Sequence, residues 1–206
     1  MFINILLSYF FYSTLTHYTQ KTKYKNISNT INVLINSSLI VSTTTLYLYN
    51  FISELLTLNV LYLSIGFYIN DLLINYYNDR QLILKSIHHF IGLMGILTFT
   101  SYPIQICSLF QTEISNLPFE IRNILYKQKV KFPILNTICI IIFYCLFFRL
   151  RIMRGYDITL DICDKEVPSD CFLVTSIYTL WCYWFLLISW KIFIKINEVF
   201  LILMRY

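Results

Sequence analysis

The chain has 206 residues, 57% hydrophobic and 13% charged, with a net charge of +5. A soluble domain carries about 25% charged residues, so this composition, with a mean hydropathy of +0.63, excludes an ordinary soluble protein and points to an integral membrane protein. The cationic residues flank apolar runs and form no patch of their own, which argues against nucleic-acid binding and for a role in setting membrane topology.

A helix needs about 20 mostly apolar residues to cross the hydrocarbon core. Seven stretches qualify: 2–17, 30–49, 55–77, 82–101, 104–125, 130–150 and 172–195. The apolar run that begins the chain lacks a basic leader and a small-residue cleavage site, so it reads as a retained span. The fifth stretch is interrupted by Glu113, Pro118, Glu120 and Arg122, and Pro118 is expected to kink it, freeing a carbonyl near Ser115. With seven spans and the N-terminus outside, twelve of the sixteen cationic residues fall on the cytoplasmic side, leaving Arg149, Arg151, Arg154 and Lys165 opposite. The expectation is therefore an all-α polytopic bundle of about seven transmembrane helices. It forms one domain over residues 1–206, with its N-terminus outside or lumenal and its C-terminus cytoplasmic.

Between the last two spans, residues 153–170 hold Asp157, Asp161, Asp164, Glu166 and Asp170 and read as a solvated outer loop, since their spacing is not that of a calcium loop. Cys163 and Cys171 lie in or beside it. A disulfide in an oxidising lumen and two idle thiols both remain open there.

The fourth stretch carries two adjacent histidines, His88 and His89, inside an apolar run. Ionisable groups at such a depth cost about 2.5–3.5 kcal/mol on insertion scales and so need partners. Counted from the cytoplasmic ends at ~1.5 Å per residue, Asn36, Asp71 and the two histidines share one level, roughly 9–10 Å beneath that face. Asp71 is placed to bond one imidazole, fixing its tautomer and raising its basicity. Adjacent helical residues diverge, so the second histidine faces elsewhere. Catalysis, a metal site and simple helix pairing are the competing readings; adjacent histidines lack the helical spacing of zinc motifs. Near mid-span, Glu113 needs pairing or protonation, with proton transfer and a structural hydrogen bond both open. For Arg122 the alternatives are snorkelling to phosphates and holding an anionic substrate group.

Several pieces recur in a telling order: Gly66-Phe67-Tyr68-Ile69-Asn70-Asp71, His88-His89, Glu113-Ile114-Ser115-Asn116-Leu117-Pro118-Phe119-Glu120-Ile121-Arg122, Phe147-Phe148-Arg149 and Tyr183-Trp184-Phe185. In this order the chain resembles the TLC domain family, which includes ceramide synthases and translocation-associated membrane proteins, over about residues 29–194. Where ceramide synthases carry H-D-x-x-D, only the first acid has a counterpart here, Glu113, and Asn116 stands for the second. The family's second-span histidine falls on Asn36, which cannot exchange protons near neutral pH. The chain is thus more similar to the small stand-alone TLC proteins.

The resemblance implies a lipid-acyl-handling protein of the endoplasmic reticulum that acts on membrane lipids. An acyltransferase of this kind takes acyl-CoA as co-substrate and binds no cofactor. His88 or His89 would be base or nucleophile, Asp71 the orienting acid and Glu113 a proton-transfer partner, with Asn36, Arg122 and Trp184 contacting substrate. The competing reading is a non-catalytic lipid-binding or cargo-escort protein.

Overall fold

The computed structural model describes residues 2–21, 27–75, 82–97, 102–127, 132–164 and 167–203, and these are helical with no strand among them. In chain order they form α1 (Phe2–Gln20), α2 (Ser28–Leu48), α3 (Glu54–Asn75), α4 (Leu82–Leu97), α5 (Pro103–Gln111) and a 3₁₀ turn (Thr112–Ser115). There follow α6 (Asn116–Lys127), α7 (Pro133–Leu146), a π-helical segment (Phe147–Met153), α8 (Arg154–Cys163) and α9 (Pro168–Leu203). Among the described residues, four helical stretches are long and apolar enough to cross a membrane: Ser28–Leu48, Glu54–Leu73, Ile134–Cys163 and Pro168–Ile194. Ser86–Ile96 is a shorter apolar helix. These are the elements an integral membrane protein requires, because in lipid every backbone polar group must be satisfied within the segment.

Local sequence sets the helix ends. Pro103, Pro133 and Pro168 each open a helix, where a missing N–H costs nothing. The C-terminus of α2 is closed by Asn50 in the left-handed conformation (φ 59°). There the Phe51 N–H bonds Leu46 O and the Asn50 N–H bonds Tyr47 O, both at 2.8 Å, which is a Schellman cap with Asn in the usual glycine position.

The chain divides into two compact units, Met1–Leu146 and Phe147–Tyr206. In the first, a polar stripe on α1 at four-residue intervals joins α1 to its neighbours. Asn4 Nδ2 donates to Asn59 Oδ1 at 3.0 Å, the Ser8 hydroxyl to Leu63 O, and Asn70 Nδ2 to Thr16 Oγ1 at 3.5 Å. These pairs rise together along both helices, so α1 and α3 run parallel. Gly66 makes the approach close: a Cβ there would meet Ser8 Cβ and the Tyr9 backbone N at 2.6 Å. Against α2 the same stripe runs antiparallel, with Thr19 Oγ1 2.5 Å from Ser28 Oγ and Asn32 Nδ2 donating to Thr16 Oγ1 at 2.7 Å. The segment α5–α6 is antiparallel to α2, through Gln111 to Thr45 at 3.1 Å and Lys127 to Thr30 at 3.2 Å. Phe119 of α6 packs on Phe143 of α7 with ring centroids 5.0 Å apart.

Two sequence expectations are corrected. The helix interruption assigned to Pro118 falls earlier, as a 3₁₀ turn at Thr112–Ser115; Pro118 sits in the first turn of α6, where it breaks little, and the Ser115 hydroxyl bonds Thr112 O at 2.9 Å. The segment 153–170 is mostly helix, not loop. Gly155, Ile158, Thr159 and Ile162 of α8 are buried at helical spacing, with the acidic residues interleaved. Arg151, one of the four cationic residues placed on the outer side, is 2% exposed. Its guanidinium lies 5.2 Å from the centre of the Phe147 ring and 5.5 Å from that of Trp181, and a Cβ on Gly155 would meet Trp181 at 2.9 Å.

Of the two alternatives left open for Cys163 and Cys171, the structure has the disulfide, closing the turn between α8 and α9; the other four cysteines are free. Denatured, unreduced protein should therefore take up four maleimides and reduced protein six, as mass shifts on a gel or in a spectrometer; six without reduction would mean that the bond does not form. Gly66→Ala should lower the melting temperature of the purified protein by several degrees, since overpacking costs about 1–3 kcal/mol. Gly95→Ala is the matched control, because a Cβ there meets only Ile106 Cδ1 at 3.9 Å.

Candidate functional site

The site is built where α3, α4 and the 3₁₀ turn converge. Tyr68 and Asp71 are three residues apart on α3, and His89 and Gly92 are three apart on α4, so each pair occupies one helix face. Those faces meet. His89 Nε2 lies 2.9 Å from Asp71 Oδ2, and both residues are buried, 8% and 4% exposed. The Tyr68 ring stacks on the imidazole with centroids 4.7 Å apart, and Phe67 meets it edge-on at 6.1 Å. Gly92 leaves room for this stack, because a Cβ there would stand 3.1 Å from the Tyr68 ring.

His88 takes the other direction. Its Nε2 is 3.8 Å from Glu113 Oε1, within ion-pair range and too long for a hydrogen bond. Glu113 is in turn held by Asn116, whose Nδ2 donates to Oε2 at 2.5 Å. The two imidazoles are 5.6 Å apart between ring centroids. Two histidine–carboxylate pairs thus stand side by side, one buried and one partly open.

Donation of the Nε2 proton to Asp71 fixes the His89 tautomer and leaves Nδ1 with its lone pair. His89 Nδ1 is buried with no hydrogen-bond partner among the described residues. A buried imidazole oriented by a carboxylate and carrying an unused basic nitrogen is equipped to accept a proton. Among the described residues no group of three or more His, Cys, Asp or Glu could hold a metal ion.

The remaining sequence candidates lie around this centre or apart from it. Asn36 is buried and accepts from the Tyr12 hydroxyl at 3.4 Å. The Tyr12 ring packs on Phe67 at 5.3 Å, so Tyr12 and Phe67 connect Asn36 to the imidazole. Arg122 lies on α6 with Nε buried and no hydrogen-bond partner for it among the described residues. Trp184 belongs to α9, in the second unit. Sequence reasoning gave no role to Tyr12, Thr16 or Asn70, and did not foresee the stacking of Tyr68. The three-residue offset shared by Tyr68–Asp71 and His89–Gly92 was the available signal.

Beside the site, an open groove of about 930 Å³ runs between α1, α2, α3 and α6. Leu7, Tyr12, Leu34, Leu63, Leu117 and Ile121 are among its walls, and none of its lining residues is charged.

No protein-family model matches this chain, and neither a curated protein nor a solved structure matches it.

Removing the Asp71 carboxylate should leave His89 Nε2 buried and unpaired, at a cost of about 1–3 kcal/mol. Asp71→Ala is expected to melt several degrees below the wild type, and Asp71→Asn, which keeps an acceptor oxygen, to fall between them. The imidazole ¹⁵N shifts of His89 should change in both variants; unchanged shifts would mean that the contact is not made.

Proposed function

We propose that this chain is a membrane-embedded lipid-acyl-handling protein in which His89 and Asp71 manage a proton, with His88 and Glu113 beside them. The observation that carries the reading is the buried 2.9 Å contact between His89 Nε2 and Asp71 Oδ2. It combines a fixed tautomer with an unused Nδ1, beside an apolar groove whose volume lies in the range of ligand sites.

In the catalytic form of the reading, an acyl-CoA-dependent acyltransferase, His89 Nδ1 takes the proton of a lipid hydroxyl or amine as that oxygen or nitrogen attacks the acyl thioester. The same proton then leaves with the thiolate of coenzyme A. Asp71 stabilises the imidazolium between the two steps. His88 and Glu113, the more open pair, face the acyl donor. The likeness to TLC domain proteins in the order of the Gly66–Asp71, His88–His89 and Glu113–Arg122 pieces supports this assignment.

The proposal includes seven spans, an outer N-terminus and residence in the endoplasmic reticulum. Two features support that orientation. Seven spans with an outer N-terminus would put twelve of sixteen cationic residues on the cytoplasmic side, and would put the Cys163–Cys171 disulfide on the other, where an oxidising compartment would maintain it. A second reading, a non-catalytic lipid-binding or escort protein, is favoured by Asn36 and Asn116, which are amides where the likeness calls for a proton-exchanging group.

Cells fed isotope-labelled fatty acid and expressing the wild type or His88→Ala/His89→Ala at equal level decide between the two. A labelled lipid class that drops at least about 100-fold in the variant is expected of a lost general base. Identical lipid profiles, with the variant folded and correctly located, overturn the catalytic reading.

A further inference from the structure

The seam between α1, α2 and α3 carries more hydrogen-bonding groups than helix packing uses. On α1, Tyr12, Thr16 and Thr19 share one face; on α2, Asn29, Asn32 and Asn36 do the same at helical spacing. Thr16 is the hub. Its hydroxyl donates to Tyr12 O at 2.8 Å and accepts from Asn32 Nδ2 at 2.7 Å and Asn70 Nδ2 at 3.5 Å. Asn32 is fully buried, at 0% exposure, yet its Oδ1 has no hydrogen-bond partner among the described residues, and neither has Oδ1 of Asn29 one turn away.

Two amide oxygens buried one above the other without donors are the expected lining of an ordered-water site, since buried polar groups in folded proteins are nearly always satisfied by protein or by water. All the seam's side chains are neutral, so water can stand there without a trapped ion. The column starts where Thr19 meets Ser28, at the end joining α1 to α2. It reaches Tyr12 and Asn36 about 10 Å deeper. Asn70, which bonds Thr16, is also buried and precedes Asp71 on α3, so it is the member of the column nearest the pair along the chain. On the other side, Phe67 stands between Tyr12 and His89.

We infer that this column holds ordered water and carries protons between the His89–Asp71 pair and the aqueous phase at the α1–α2 end. A proton leaving the pair passes to the nearest water, which passes one of its own to the next. One proton therefore emerges at the far end, and the reverse transfer restores the pair. Thr16 and Asn32 are positioning residues: they hold the waters and touch no substrate. The inference goes beyond the lipid reading and does not depend on turnover.

The test is water-edited solid-state NMR on the full chain in lipid bilayers, labelled at histidine, asparagine and aspartate, which times the passage of magnetisation from water to each side chain. With three histidines in the chain, the ring signals are few enough to assign. In the wild type, water magnetisation should reach the His89 ring and the Asn32 amide as fast as it reaches groups at the membrane surface. Thr16→Val with Asn32→Leu should slow the build-up at His89 at least threefold while the cross-peak between His89 and Asp71 persists, and Thr16→Ser should keep the wild-type rate. A His89 that is dry in the wild type overturns the inference whatever the variants do, and so does an unchanged rate in the folded double variant. Lipid turnover is not read in either arm, so this result stands apart from the labelling experiment.

Discussion

Everything in the first unit depends on how helices find one another in a solvent as apolar as their own side chains. Burying leucine against leucine gains little there, so association rests on close packing and interhelical hydrogen bonds. The chain meets this constraint along α1. Asn4, Ser8, Tyr12, Thr16 and Thr19 follow one another about a turn apart, and each finds a polar partner on α2 or α3 or in its own helix. Gly66 lets the two backbones approach at the middle of that line. Without this seam Tyr12 would not stand against Phe67, and Phe67 would not back the imidazole of His89.

The chemistry of the site follows from that scaffold. A carboxylate and an imidazole pulled out of water are expensive unless each satisfies the other, and here the pairing also selects which imidazole nitrogen is left to react. The stack of Tyr68 holds the ring plane, and the absence of a side chain at Gly92 makes that stack fit. Asp71 and His89 are thus fixed by neighbours whose own positions are set by helix packing, which preorganises the pair.

Much of this could be read from the chain alone, and the reasons for the failures are physical. The apolar runs of α2, α3 and α9 are long enough to announce themselves, and converting residue counts to depth put Asp71 level with the histidines. Depth says nothing of azimuth. That Asp71 reaches His89 while His88 turns toward Glu113 depends on helix rotation, which neighbours decide. The polar line on α1 was hidden because Ser, Thr and Tyr score as ordinary members of an apolar span. At α8 the error ran the other way: acidic residues between Gly155, Ile158 and Ile162 gave the look of a loop, although the buried positions keep a helical period. The surroundings of Arg151 were likewise hidden, because a sequence does not show that Phe147 and Trp181 lie against it.

That arginine also bears on how the protein is made. Phe147 leaves the ribosome just before Arg151, but Trp181 follows thirty residues later. For that interval the helix carrying Arg151 lacks the Trp181 cover it has in the finished fold, and a buried cation without its neighbours is costly. The nascent segment is then poorly suited to leave the translocation channel alone. It is better retained at the channel, or beside a chaperone, until α9 emerges, so that the two helices enter the bilayer as a hairpin whose turn the Cys163–Cys171 bond then closes.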